Sequence, residues 1–442
     1  MKVSRAYAAT RDSRRKGTHR MDQPAPAQSG SSQSGLPLSG LKVVEFSHMV
    51  MGPTCGLILA DLGAEVIKVE PAPKGDNTRR LTGSGAGFFV TYNRNKRSLA
   101  LDLKRPEGLA LARALVAEAD VLVENFRPGG MERLGLGYAD LAADNPRLVY
   151  CSAKGFLPGP YEQRTALDEV VQMMGGLAYM TGLPGRPLRA GASVNDVMGG
   201  MFAALAVMAA VMERAHSGVG QEVKSALFEN CAFLVGQHMV QRSVTGRSAE
   251  PMTIRQAAWA VYDVFDCAED QQLFVGVVTD SQWHRFCAAF GLEDLAADPE
   301  LATNPQRCAG RERFLPRLRR LFAAWRRDDL IETVADIGLP YAPINRPDDL
   351  FEDPHLLATG GLLDMAIPDG PDLAQPPRAQ VPGLPIMLGD RRFGLRRPPP
   401  RIGQHSREIL DELGLSKARI EALLTSGVVF AEADASLDAT AP

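Results

Sequence analysis

The chain has 442 residues, 45% of them hydrophobic and 23% charged, enough for one large or two moderate domains with a sizeable core. Its formal net charge of −3 argues against a nucleic-acid binder, which needs a basic face. Its six cysteines, Cys55, Cys151, Cys231, Cys267, Cys287 and Cys308, include no CxxC pair, so free, mostly buried thiols in a reducing cytoplasm are expected.

Residues 1–37 run from basic ("RDSRRKGTHR") to low-complexity ("DQPAPAQSGSSQSG"). That composition cannot bury a core and predicts a disordered extension. An Arg-rich, Ser-containing leader also suits a mitochondrial presequence; an over-long start, with Met21 as an alternative initiator, is the plainer expectation. Order is expected from Leu38. "LKVVEF" (41–46) reads as a strand, "GPTCGLILADLGA" (52–64) as a helix and "EVIKVE" (65–70) as a second strand. This is a β-α-β unit, hence a parallel pair with a crossover helix. "RSLALDL" (97–103), a helix over 105–119 with Pro106 and Glu107 at its start, "DVLVENF" (120–126) and "RLVYCSAKGF" (147–156) continue the alternation. The fold class is α/β with a mostly parallel sheet, whose ligands belong outside the carboxyl ends of its strands, in the loops after Phe46, Glu70, Phe126 and Lys154.

"GASVNDVMGG" (191–200) holds one acid, Asp196, before an apolar run ending at Met212. The run from Val197 falls short of the roughly 18–20 residues of a membrane span and reads as a core helix. "GQEVKSALFENCAFL" (220–234) gives a strand and a helix, and "RSVTGRSAEPMTIRQ" (242–256) a linker. A hairpin turning at Glu269-Asp270 and helices over 281–291, 311–325 and 328–338 form a smaller α+β region. A Pro-rich loop (368–385) and two short helices with Ser406 and Ser416 as N-caps close the chain. The expected organisation is a large α/β domain over 38–235, a linker over 236–257, a small domain over 258–350, and a return to the large domain over 351–442.

No GxGxxG follows the first strand, and GxxxxGK[ST], GxSxG, HExxH and Cys/His clusters are missing from the sequence. Instead, unusual loops follow the strands. Arg94, Lys96, Arg97, Lys104, Arg127 and Arg133 fall near strand ends or helix starts; they suit a phosphorylated ligand or an ordinary solvated surface. Read alone, Asp196 is a helix N-cap.

The ordered blocks "GPTCGLILADLGAEVIKVEP", "GDNTR", "NRNKRSLALDLK", "ADVLVENFRPG", "NPRLVYCSAKGF", "SGVGQEV", "GLPYAPI" and "GLSKARIEALLTSGVV" together resemble the family III coenzyme A transferases, the formyl-CoA/oxalate and carnitine CoA-transferase (CaiB/BaiF) group. The resemblance runs from about Leu38 to Val429. It implies a Rossmann-like parallel sheet as the large domain, a smaller α+β domain and an interlocked homodimer. It implies acyl-CoA and a small carboxylic acid as substrates, with no permanently bound cofactor, ATP, metal or membrane. Asp196 becomes the carboxylate that attacks the thioester, kept ionised by its helix N-terminus. Asp168, in "ALDEVVQ", becomes a supporting carboxylate. CoA contacts fall on Met49, Val50, Leu101, Lys104, Asn125, Phe126 and Arg133. Of these, Lys104 and Arg133 would face phosphates, and Leu101 and Phe126 the adenine. Gly199 and Gly200 would let backbone approach the thioester.

Val50 and Pro71 replace a glutamine and an arginine of the oxalate-using members, and the stretch over 245–257 lacks their glycine-rich loop. Another acid is therefore expected, with a dicarboxylic acid and a dicarboxyl-CoA such as succinyl-CoA preferred. Arg247, Arg255 and Gln256 are candidates to bind its carboxylate. A 2-methylacyl-CoA racemase shares this fold, but its histidine base would precede the acid where Leu167 stands before Asp168. A non-catalytic CoA-binding protein is the remaining alternative.

Overall fold

The structure, a computed structural model, describes residues 35–254, 258–368 and 376–432. The expected extension therefore lies outside the described residues except for its last three. The alternation read from the sequence yields β1 (Lys42–Phe46), β2 (Glu65–Pro71), β3 (Lys96–Leu101), β4 (Val121–Glu124), β5 (Val149–Lys154) and β6 (Glu222–Ala226). They lie side by side in the order β3-β2-β1-β4-β5-β6, every neighbouring pair parallel. The chain starts in the middle and winds outward both ways. The direction reverses between β1 and β4, so the loops leaving those two strands part and open a crevice at their carboxyl ends.

Helix α1 (Met51–Asp61) crosses from β1 to β2, and α2 (Pro106–Ala117), with Pro106 in its first turn, from β3 to β4. Between β5 and β6 come α3 (Asp168–Met174) and α4 (Val194–Ser217). At 24 residues and a mean hydropathy of 1.7 over its most apolar window, α4 is long and apolar enough to cross a membrane by length and composition. This corrects the expectation of a run too short to do so. In the molecule, α4 buries Gly199, Gly200, Ala203, Ala204, Val207 and Ala210, a helical stripe. It packs with Cys55 and Leu59 of α1 and with Val121, Val149 and Cys151 of the sheet. The opposite side, including Met201 and Leu205, is exposed.

On the sheet's other face, Phe46, Leu99, Leu122 and Tyr150 pack against Leu115 and Val116 of α2. The same core takes in Ile409 and Leu410 of α9 (Ser406–Glu412) and Ile420 and Leu423 of α10 (Lys417–Thr425). The helices between are α5 (Leu227–Thr245), α6 (Asp280–Phe290), α7 (Arg311–Ala323) and α8 (Arg327–Asp336). The last three cover a three-stranded antiparallel sheet of β7 (Val261–Asp266), β8 (Gln272–Val277) and β9 (Tyr341–Pro343). Trp283, Phe286, Phe314 and Phe322 fill its core. The β7–β8 turn falls at Glu269 and Asp270, both with positive φ. A separate antiparallel pair, β10 (Leu362–Ala366) and β11 (Arg378–Pro382), follows, and β12 (Val429–Phe430) joins the large sheet antiparallel to β3.

Three further expectations are corrected. The linker drawn from residue 236 is helical as far as Thr245: α5 meets no proline and stops at Gly246, the first residue past its end with a left-handed φ (71°). The Pro-rich loop contains a strand, because Val381 is buried opposite Leu363; residues 369–375 lie outside the described residues. Ser406 does not cap its helix. It is the first helical residue, and its hydroxyl donates to the Phe430 carbonyl at 2.7 Å, tying α9 to β12. Ser416 does cap α10, accepting the Arg419 N–H at 3.3 Å. All six cysteines are free thiols, and only Cys308 is not fully buried.

Candidate active site

The crevice between β1 and β4 is a cleft of about 640 Å³. Its walls come from the loops after β1, β2, β4 and β5 and from the start of α4. Of the residues expected at the site, it gathers Met49, Asn125, Phe126, Arg133, Asp168 and Asp196. The others lie elsewhere. Val50 is fully buried as the N-cap residue of α1. Leu101 is fully buried in the core, paired with Val429. Lys104 is exposed on the loop after β3, two strands from the crevice, and is absent from its lining.

Gly199 and Gly200 face α1 instead of open space. A Cβ on Gly199 would lie 2.6 Å from Met51 Cε, and one on Gly200 would lie 2.5 Å from Thr54 Cβ and 2.6 Å from the Met51 carbonyl oxygen. They allow two helices to touch, and that is their local role.

Asp196 is partly exposed at the cleft, in the first turn of α4. It is not the N-cap; Ser193 holds that position and makes no side-chain capping bond. The cap is supplied from outside by Asp168, buried at the start of α3, whose Oδ1 accepts the Asn195 N–H at 2.8 Å and the Asp196 N–H at 3.4 Å. Gln172 donates to Oδ2 of Asp168 at 2.5 Å and accepts the Ala190 N–H at 2.8 Å, tying in the strand of chain that leads to α4.

The helix end was expected to keep Asp196 ionised. Its pKa instead rises to about 7, first through burial and then through the Asp168 charge, with Arg189 pulling weakly the other way. The helix-end contribution is of order 0.3–1 kcal/mol, and its N–H groups are already engaged by Asp168.

Basic groups line the same cleft. Arg189 sits 3.8 Å from Asp168 and also pairs with Glu169. Lys154 pairs with buried Glu124 at 2.6 Å and donates to the Phe126 carbonyl at 2.7 Å, fixing the loop after β4. Arg127, Arg133 and Arg164 line the cleft with no carboxylate partner among the described residues. Arg164 stands over the Tyr161 ring at 4.9 Å. His48, Lys154, Arg164 and Arg189 also line the cleft and were not expected there, although each stands beside a motif singled out in the sequence.

Three of the basic residues expected near a phosphorylated ligand are structural. Arg94 pairs with Asp61 at 2.6 Å, Lys96 with Glu45 at 2.8 Å and Arg97 with Glu412 at 2.8 Å. All three are buried, and burial lowers the Lys96 pKa to about 8. Arg247, expected to bind substrate, lies on the exposed turn after α5 and not in the cleft lining. Arg255 and Gln256 fall outside the described residues.

The sequence from residue 38 to residue 406 matches the family model described as CoA-transferase family III. An acyl-CoA transferase of Fusarium pseudograminearum is 38% identical, over 92% of this chain and 91% of that protein. A succinate–glutarate CoA-transferase of Agrobacterium fabrum is 34% identical, over 85% of this chain and 96% of that protein. A succinyl-CoA–D-citramalate CoA-transferase of Chloroflexus aurantiacus is likewise 34% identical, over 90% of this chain and the whole of that protein. Among solved structures, a CAIB/BAIF family protein from Brucella suis superposes with a TM-score of 0.75 at 36% identity, covering 86% of this chain and 99% of that one.

Proposed function

Because the chain belongs to CoA-transferase family III and is a CoA-transferase, we propose that it passes coenzyme A between two carboxylic acids through Asp196. The observation that carries this reading is the place of Asp196, at the start of α4 in a cleft that also holds three arginines without a carboxylate partner among the described residues; burial and the Asp168 charge raise its pKa to about 7. The ionised Asp196 oxygen adds to the thioester carbonyl of the donor and expels CoA thiolate, leaving a mixed anhydride. The thiolate then attacks the Asp196 carbonyl carbon and releases the donor acid, leaving CoA in thioester linkage to the enzyme. The acceptor carboxylate attacks that thioester, and the returning thiolate takes the acyl group from the second anhydride. Each stage divides one difficult exchange into easier ones and conserves the activated bond. A nucleophile with a pKa near 7 is both available at neutral pH and more basic than an ordinary carboxylate.

The acids are dicarboxylic in this reading, with succinyl-CoA as a donor. Two kinds of relative, acting by their names on succinate with glutarate or with citramalate, support it. Cationic cleft residues suit a second carboxylate. The active form is a homodimer, supported by apolar side chains left exposed on α4 and α5, among them Met212, Phe233, Met239 and Val244.

The test is a reaction with succinyl-CoA and glutarate, quenched, digested and read by mass spectrometry. A CoA adduct on the peptide carrying Asp196 is expected, absent in Asp196→Asn. Transfer that persists in Asp196→Asn would overturn the mechanism. Transfer from other donors but never to or from a dicarboxylic acid would overturn the substrate class alone. Light scattering reads the dimer, and a stable monomer would contradict it.

A further inference from the structure

The turn between β1 and α1, Ser47 to Met49, forms one wall of the cleft through His48 and Met49. Met49 has a φ of 62°, left-handed backbone that costs a residue with a side chain and persists only where its surroundings impose it. Two clamps impose it here. From the β4 side, Asn125 accepts the His48 N–H at 3.0 Å and donates to the His48 carbonyl at 2.8 Å. From the β2 side, Lys68 donates to the Ser47 carbonyl at 2.6 Å, and Thr78 Oγ1 accepts the Met49 N–H at 2.8 Å.

The second clamp is built on buried charge. Lys68 pairs with Asp76 at 3.1 Å, and Asp76 Oδ1 accepts both the Thr78 N–H at 2.9 Å and the Thr78 hydroxyl at 2.7 Å. Lys68, Asp76 and Thr78 are all buried. A carboxylate accepts and cannot donate, so it commits the Thr78 proton to itself and leaves the hydroxyl oxygen facing the turn as an acceptor. Buried ion pairs are poor stabilisers. This one holds a donor and an acceptor of a single strained turn in opposite senses, and two residues of that turn, His48 and Met49, line the cleft.

We propose that Thr78 is a positioning residue for acyl-CoA: through the Met49 N–H it holds the left-handed turn against which the CoA moiety rests. The inference rests on the reading of this cleft as the CoA site.

The test compares wild type with Thr78→Val, which keeps the branched shape and removes the oxygen, and with Thr78→Ser, which keeps the oxygen. Binding of CoA itself is followed by calorimetry. In Thr78→Val, the CoA Kd and the KM for acyl-CoA are expected to rise about tenfold with kcat nearly unchanged. Thr78→Ser is expected to restore both. In the wild type, saturating CoA is expected to slow deuterium uptake in the peptide spanning 47–50, which needs no variant to fold. Thr78→Val binding CoA as wild type does, or no protection of that peptide while other cleft segments are protected, would overturn the positioning role of Thr78 while leaving the cleft as a CoA site. A wild-type protein that transfers CoA yet is protected only outside the cleft on binding it would overturn the cleft reading, and the role of Thr78 with it.

Discussion

The Asp168 carboxylate accepts the backbone N–H groups of Asn195 and Asp196, at 2.8 Å and 3.4 Å, so one acid caps the helix that carries the other. The same charge that satisfies the helix end raises the pKa of Asp196. Structural support and tuning of the proposed nucleophile are therefore one interaction.

The rate should record this. If ionised Asp196 is the nucleophile, kcat/KM rises with pH through about 7. Asp168→Asn retains an acceptor oxygen for the two N–H groups and removes the charge, so its rising limb is expected at lower pH. A pH–rate profile unmoved by Asp168→Asn would show that burial alone sets the shift.

Asp196 should cost stability where it works. A carboxyl whose pKa is raised on folding contributes stability that is fully present below its unfolded value, about 3.9, and is lost as pH rises through its folded value. For Asp196 the loss runs from about pH 4 to about pH 7. Asp196→Asn removes this titration, so its Tm relative to wild type is expected to climb between pH 4 and pH 8 while activity falls about 10³-fold or more. Calorimetry across that range, with wild type at matched pH, checks the sign; a constant difference would refute it.

Two glycines should respond oppositely to alanine. At Gly200 the new Cβ would overlap Thr54 and the Met51 carbonyl, which predicts a loss of about 1–3 kcal/mol. Gly236 lies within α5 with nothing of its own protomer within 4 Å of a new Cβ, and Gly236→Ala predicts a gain of about 0.4–1 kcal/mol for the protomer taken alone. Urea unfolding separates them. A neutral Gly200→Ala would mean that α1 and α4 can move apart freely.

Lys96 is expected to tolerate little. Its ammonium is buried against Glu45 at 2.8 Å and also donates to the Pro53 carbonyl and to Asn93. Lys96→Met leaves buried Glu45 short of a partner and is expected to lose about 3–5 kcal/mol, measured by the same unfolding curves. A loss under 1 kcal/mol would mean that Lys68, 3.5 Å from Glu45, compensates.

Much of this was legible in the sequence because local pattern carried it. Strict alternation of apolar strands and amphipathic helices announced the parallel sheet, and the loops leaving β1, β4 and β5 pointed to the cleft. What failed was what depends on partners far along the chain. Nothing near Lys96 shows that its charge is spent on Glu45, because their contact spans 51 positions. Nothing in "DVMGG" says whether glycines face a substrate or a helix; only the approach of α1 decides it. The helix end favours an ionised Asp196, but burial and a neighbouring acid, both invisible one segment at a time, outweigh it.

Strand β12 gives the large sheet a particular order of completion. Among the described residues, the outer edge of β3 is covered by late chain: β12 itself, His405, which exchanges hydrogen bonds with Ser98, and Ser406, which accepts the Ala100 N–H. His405 follows Ser98 by 307 positions. At a synthesis rate of roughly 5–20 residues per second, β3 leaves the ribosome roughly 15–60 s before anything can cover it. For that interval the nascent protein carries an open hydrogen-bonding edge, the form of strand most prone to pairing with another chain. The C-terminal helices and their two-residue strand thus act during biogenesis as a late closure, and a chain stopped upstream of His405 would retain the open edge permanently.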